Sequence, residues 1–245
     1  MRTRLIPSAV AACLAAGLAG AGGGDAHAAP VSTVPGAPTP AIAWVGRVLA
    51  PVPARAAPRR SARAKMVVQP IAPFQKGPTV LLVTRSLVRD GVRWVEVLLP
   101  ARPNGSRGWV PADVLRLRTT TLRVTIDLSE RRLTLLRAGR TILRAPVAIG
   151  TAGTPTPTGA RFAVAEVIRT RTPGAFLGPV VLPLTGFSET LNEFAGGDGR
   201  VAIHGTSVPS LIGTAASHGC VRMRNRDIVR MARLVRPGTP VAIRP

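Results

Sequence analysis

Apolar positions in this chain fall into short runs cut by Gly, Pro, Asp-Gly and Asn-Gly, and only one stretch repeats them at helical spacing. From Ile42 to about Arg118 the runs read as strands. Ala43–Leu49 is rich in β-formers, and Thr79–Thr84 is a compact apolar strand. Asp90-Gly91 is a hairpin turn leading into Val92–Leu98, where Trp94 sits among β-branched residues. Asn104-Gly105 is a second turn, leading into Gly108–Val114.

A second β region begins at Thr121. In Arg123–Leu128 the residues Val124, Ile126 and Leu128 alternate onto one face. A turn at Ser129–Arg132 leads to Leu133–Leu136, and a turn at Ala138-Gly139-Arg140 leads to Thr141–Ile149. Gly150–Gly159, with two prolines and three glycines, is a rigid loop. Phe162–Ile168 reads as a strand. Residues 169–200 show no period and read as an irregular loop, either a lid or loosely ordered surface. Arg200–Ile203 is a strand that delivers His204. Asp227–Leu234 is the helical stretch, with Ile228, Met231, Ala232 and Val235 on one side, and Thr239–Ile243 closes the sheet. The expected fold class is therefore all-β, with one short helix.

The N-terminus carries a basic Met1–Arg4, an apolar Leu5–Gly24 and then Ala26-His27-Ala28. This order fits a signal peptide over 1–28, cleaved before Ala29, and export across the cytoplasmic membrane to the cell wall or periplasmic space. Val10-Ala-Ala-Cys13 weakly resembles a lipoprotein box, but the better processing site lies downstream. Residues 29–41 are a Pro-rich tether. The expected organisation is thus 1–28 leader, 29–41 linker, 42–118 small β domain and 121–245 second domain.

Charge and composition narrow the partners. The net charge is +22, and all but two of the 33 basic residues are arginine. A GC-rich genome and selection for charge both account for that bias. Such a chain associates with polyanions. No basic helix, zinc spacing or aromatic RNA-binding motif points to nucleic acid. With export, an anionic cell-wall polymer or membrane surface is the expected partner.

The chemistry concentrates in Ile203–Asn225. Removal of 1–28 takes away Cys13 and His27, leaving Cys220, His204 and His218 within 17 positions. A thiol beside an imidazole is the pairing that a nucleophilic cysteine requires. His204, at a strand end, is the base. Its second ring nitrogen needs an acceptor: Asp198, Asp227 or the backbone carbonyl of Gly205. The turn Ser217-His218-Gly219-Cys220 can aim backbone N–H groups at an oxyanion. Arg222 shares the Cys220 face of an extended chain and suits a substrate carboxylate. Two other readings of the same residues are a zinc site on His204, His218 and Cys220, which matches no usual spacing, and a buried inert thiol.

The motifs H-G-T-x-x-P and S-H-G-C-V-R, with the upstream I-D-L-S-E-R-R-L and G-T-P-T-P-T-G, resemble the L,D-transpeptidase catalytic domain of the YkuD family over about residues 121–244. The preceding short strands and G-W-V segment resemble a bacterial SH3-like barrel. The family resemblance implies a mostly β sandwich that uses no cofactor or metal. It implies that Cys220 attacks the third residue of a peptidoglycan stem peptide, with release of D-Ala and transfer to an amine of a second stem. His204 would be the base, oriented by Gly205. His218, Gly219 and Cys220 would form the oxyanion site, and Arg222 and Ser217 would bind substrate. Arg222 stands where the pattern often has Asn, and Gly205 where other members have Ser. Carbapenem-type β-lactams would acylate the cysteine. The competing readings are an exported cysteine peptidase or L,D-carboxypeptidase, and a non-catalytic wall-binding protein.

Overall fold

Two β-sheets carry the chain. The computed structural model describes residues 35–158, 161–193 and 196–245. The signal peptide expected over 1–28, with Cys13 and His27, and the first part of the 29–41 linker lie outside the described residues. No helix among the described residues is long and apolar enough to cross a membrane.

The first sheet is built from β1 (Ala43–Val48), β2 (Val52–Arg55), β3 (Ala64–Val68), β4 (Val80–Arg89), β5 (Val92–Leu98), β6 (Arg107–Pro111) and β7 (Leu115–Thr120). All pairings are antiparallel, in the order β3-β2-β6-β5-β4-β1-β7. The β4–β5 turn is Asp90-Gly91, with φ of 51° and 71°. Two consecutive left-handed residues match the twist of a hairpin, which is why Asp-Gly works there. The sheet has its own core, including Val83, Val95, Val97, Leu99 and Val110.

The second sheet contains β8 (Leu122–Asp127), β9 (Arg132–Arg137), β10 (Arg140–Gly150), β11 (Arg161–Ala163), β12 (Ile168–Arg169), β13 (Val180–Phe187), β14 (Arg200–His204), β15 (Ala215–Ser217), β16 (Val221–Met223) and β17 (Pro240–Arg244). Its order is β11-β17-β8-β9-β10-β16-β14-β13-β12, with β15 paired to β10. Helix α1 (Asn225–Leu234) buries Ile228, Met231 and Ala232, so the apolar stripe read from the sequence faces the core. The described residues form one compact unit. A small cluster of Ala43, Val45, Val80, Leu82, Leu98 and Ala163 joins the two sheets.

Two expectations are corrected. Residues 169–200 are not one irregular loop, because β13 occupies their centre and pairs with the His204 strand. All eight residues of Val180–Phe187 are buried, so no alternation marks them, and Pro183 and Gly186 disguise the run further. Phe162–Ile168 is not a continuous strand. It breaks into β11, an isolated bridge at Val164 and the start of β12, with Glu166 of the break buried and bonded to the N-terminal sheet.

Candidate active site

His204 and Cys220 arrive at one place because β14 and β16 run parallel and adjacent, with Ile203 opposite Val221 and His204 opposite Arg222. His204 is the last residue of β14, and Cys220 immediately precedes β16. The Ala202 N–H points at the Cys220 sulfur, at 3.4 Å. Both side chains open into a cavity of about 400 Å³, lined also by His218, Arg222, Phe176 and Phe74.

The His204 ring is 1% exposed, and its Nδ1 lies 2.6 Å from the Gly205 carbonyl oxygen. A carbonyl only accepts, so Nδ1 carries the proton and Nε2 carries the lone pair. Of the three candidate acceptors, the backbone carbonyl holds the place. Asp198 is paired with Arg200 at 3.0 Å, and Asp227 lies 3.8 Å from Arg226. Burial pushes His204 down to about 4, and the Arg222 charge acts the same way. The Gly205 and Leu177 carbonyls oppose the shift.

Gly205 has no room for a side chain. A Cβ there would run into Asn225 Oδ1 and sit 3.0 Å from Gly178 Cα. Asn225 Oδ1 accepts the Thr206 N–H at 2.8 Å, so the first residue of α1 fastens the turn that follows His204. The close approach of Gly178 and Gly205 explains why serine cannot stand at 205 here.

The Cys220 thiol is pushed up by burial, against a smaller downward pull from the Ala202 N–H and Arg222. The resting pair is therefore a neutral thiol and a neutral imidazole. The turn before Cys220 is held from within. Ser217 Oγ donates to the Cys220 carbonyl at 2.5 Å and accepts the Gly219 N–H at 3.2 Å. Gly219 has φ of +105°, a conformation that favours glycine. Ser217, expected to bind substrate, is 1% exposed and its hydroxyl is engaged inside the turn. The Gly219 N–H, expected at the oxyanion site, is likewise spent on Ser217. His218 is exposed at the cavity. The start of the Gly- and Pro-rich loop backs this turn, with the Thr151 N–H and Thr154 Oγ both donating to the Ser217 carbonyl, at 3.0 and 3.3 Å.

Arg222 is 5% exposed, and its Nε is buried without a hydrogen-bond partner among the described residues. Its guanidinium lies 4.7 Å from the centre of the Phe176 ring. A buried guanidinium at a cavity wall suits an incoming carboxylate. The zinc alternative finds no geometry: among the described residues no three His, Cys, Asp or Glu side chains are grouped to hold a metal ion.

Sequence reasoning missed Phe176, Leu177, Phe74 and Asn225. Phe176 and Leu177 stand beside Gly178-Pro179, and Phe176 is 47% exposed. In a chain with 3% aromatic residues, a phenylalanine in a Gly- and Pro-rich loop is a signal that could have been read.

The chain resembles known proteins. Residues 121–243 match the YkuD L,D-transpeptidase catalytic domain. The chain is 34% identical over 157 residues to the YkuD protein of Bacillus licheniformis, covering 61% of this chain and 86% of that one. It is 33% identical over 125 residues to YkuD of Bacillus subtilis, covering 51% and 67%. Among solved structures, an L,D-transpeptidase from Mycobacterium tuberculosis H37Rv aligns with a TM-score of 0.43 at 15% identity, over 71% of this chain and 92% of that one. With its catalytic half matched throughout, this chain belongs to the YkuD family of L,D-transpeptidases.

Proposed function

We propose that this protein is exported and cross-links peptidoglycan stem peptides through a Cys220 acyl-enzyme. The observation that carries the reading is the meeting of Cys220 and His204 in one cavity, where β14 and β16 run side by side, with Nδ1 of His204 fixed by Gly205. Cys220 Sγ attacks the carbonyl carbon of the third stem residue and gives its proton to His204 Nε2. Collapse breaks the amide, and the departing D-Ala amine takes that proton. An amine of a second stem then attacks the thioester, loses its proton to His204, and the sulfur leaves and recovers it. One amide is broken and one is formed, so no energy source is consumed.

Because thiol and ring are both neutral at rest, the proton moves as the carbon–sulfur bond forms. Arg222 holds a carboxylate of the stem peptide. Backbone N–H groups of the turn at His218 and Cys220 stabilise the developing oxyanion. The positive charge of the chain holds it on anionic wall polymer, in line with export. Carbapenem-type β-lactams, which present a strained acyl carbonyl, acylate the same sulfur.

Mass spectrometry of the purified protein with a tetrapeptide muropeptide, beside Cys220→Ala, tests the reading. The expected product is a dimer lacking one D-Ala, absent with the variant. Loss of D-Ala without a dimer would assign hydrolysis instead. No product from either protein would leave a wall-binding role.

A further inference from the structure

The N-terminal sheet reaches into the Cys220 cavity by two separate sets of contacts. In the first, Glu166, between β11 and β12, is 4% exposed. Its carboxylate accepts the Phe74 N–H at 3.0 Å and the Gln75 N–H at 2.8 Å. That grip fixes the backbone of Phe74, which lies between β3 and β4. The Phe74 ring is 50% exposed and lines the cavity that holds the nucleophile.

The second set runs from the β5–β6 connection to the segment after β13. Arg102 Nη1 donates to the Ser188 carbonyl at 2.5 Å, and Nη2 donates to those of Leu191 and Asp198 at 3.0 and 3.3 Å. Asn104 exchanges two 2.8 Å bonds with the Phe187 backbone. Residues 187 and 198 are thus both held by the N-terminal sheet, and Gly197–Arg200 line the cavity. The two sets touch. The Arg200 guanidinium lies 4.6 Å from the Phe187 ring centre and 5.9 Å from that of Phe74, while Arg102 lies 4.8 Å from Phe187.

A sheet that served only as a tether would need neither set. Its contacts could be a plain apolar seam, as at Ala163. Instead a buried carboxylate holds the backbone of a half-exposed phenylalanine at the cavity wall. A five-donor side chain, suited to several carbonyls at once, organises another part of that wall.

We infer that the N-terminal sheet completes the substrate cleft, with Phe74 as a specificity-determining residue that packs on the stem peptide, and with Arg102 and Asn104 as positioning residues for the wall at residues 187–191 and 197–200. This rests on the stem peptide being the substrate, as proposed above. The ligand chemistry is an extended peptide with an aliphatic portion to cover the phenyl ring.

The test uses the full chain and a disaccharide-tetrapeptide donor. For Phe74→Ala, the KM for the donor rises roughly five- to tenfold while kcat stays within about twofold, the pattern of lost uniform binding. Phe74→Leu restores most of the affinity, and alkylation of Cys220 by iodoacetamide is unchanged. Arg102→Ala raises the KM as well and speeds amide hydrogen exchange at 188–191 and 197–200. An unchanged KM in both Phe74→Ala and Arg102→Ala, with the wild type turning over, would overturn this inference and leave the proposed function standing. A wild type that is alkylated yet never turns over the donor would overturn the proposed function and this inference with it.

Discussion

The Nδ1 atom of His204 sits 2.6 Å from the carbonyl oxygen of its own neighbour, Gly205, so the tautomer of the imidazole is set by one peptide unit and not by a distant carboxylate. That carbonyl stays in place because Asn225 and Gly178 crowd the turn. The imidazole is neutral, buried and flanked by a cation, and each of these facts has a measurable consequence.

The first is acid lability. His204 is held at about 4 in the folded chain against an ordinary 6.5. Between those values the unfolded chain binds the extra proton, so stability falls as pH drops through 6.5 and levels off below about 4. The loss from this group is about 3 kcal/mol, at roughly 1.36 kcal/mol for each tenfold change in proton affinity. Urea denaturation across that range shows the slope, and His204→Gln removes it. The acid limb of kcat/KM lies near 4 for the same reason, since the ring can accept a proton only above it.

The second concerns the thiol. Burial raises Cys220, so iodoacetamide alkylation of the free enzyme is slow at neutral pH and quickens only in the alkaline range. Arg222 favours the thiolate and disfavours the imidazolium. Arg222→Ala therefore shifts the alkylation profile to higher pH and moves the His204 titration, followed by NMR, upward. Profiles that do not move would show that Arg222 is screened from both groups.

A third follows from the packing at Gly205. Gly205→Ala forces a methyl against Asn225 Oδ1 and Gly178, and overpacking of this kind costs roughly 1–3 kcal/mol. Denaturant titration measures it. Pairing it with Asn225→Ala recovers part of the loss, because the first obstacle is removed. Simple additivity of the two would mean that they do not meet.

A fourth separates the roles of Ser217. Ser217→Ala removes the bond to the Cys220 carbonyl and leaves the buried Gly219 N–H unpaired, a loss of about 1–3 kcal/mol. Because the turn carries the nucleophile, kcat falls while the KM for the donor changes little. A raised KM with kcat intact would return Ser217 to substrate binding.

Several of these residues are legible in the sequence alone. The strand ending at His204, the turn into Cys220 and the helix face of Ile228, Met231 and Ala232 follow from local pattern. Hairpin turns such as Asp90-Gly91 and Ala138-Gly139 do too, since their backbone angles are a property of the residues themselves. The choice of Gly205 over the two aspartates as the acceptor needed the fold, because each aspartate is claimed by an arginine beside it.

What the sequence determined, then, was the chemistry: a thiol with an imidazole to pair it, a mostly β chain to hold them, and a family signature. The tertiary structure decided what surrounds that chemistry. Strand β13 carries no period because it is buried on both faces. The Ser217 hydroxyl is engaged within its own turn. Phe74 belongs to the cleft because Glu166, 92 positions away, grips its backbone. Periodicity and turn preference act over a few residues, whereas burial and long-range hydrogen bonds depend on which segments the folded chain brings together.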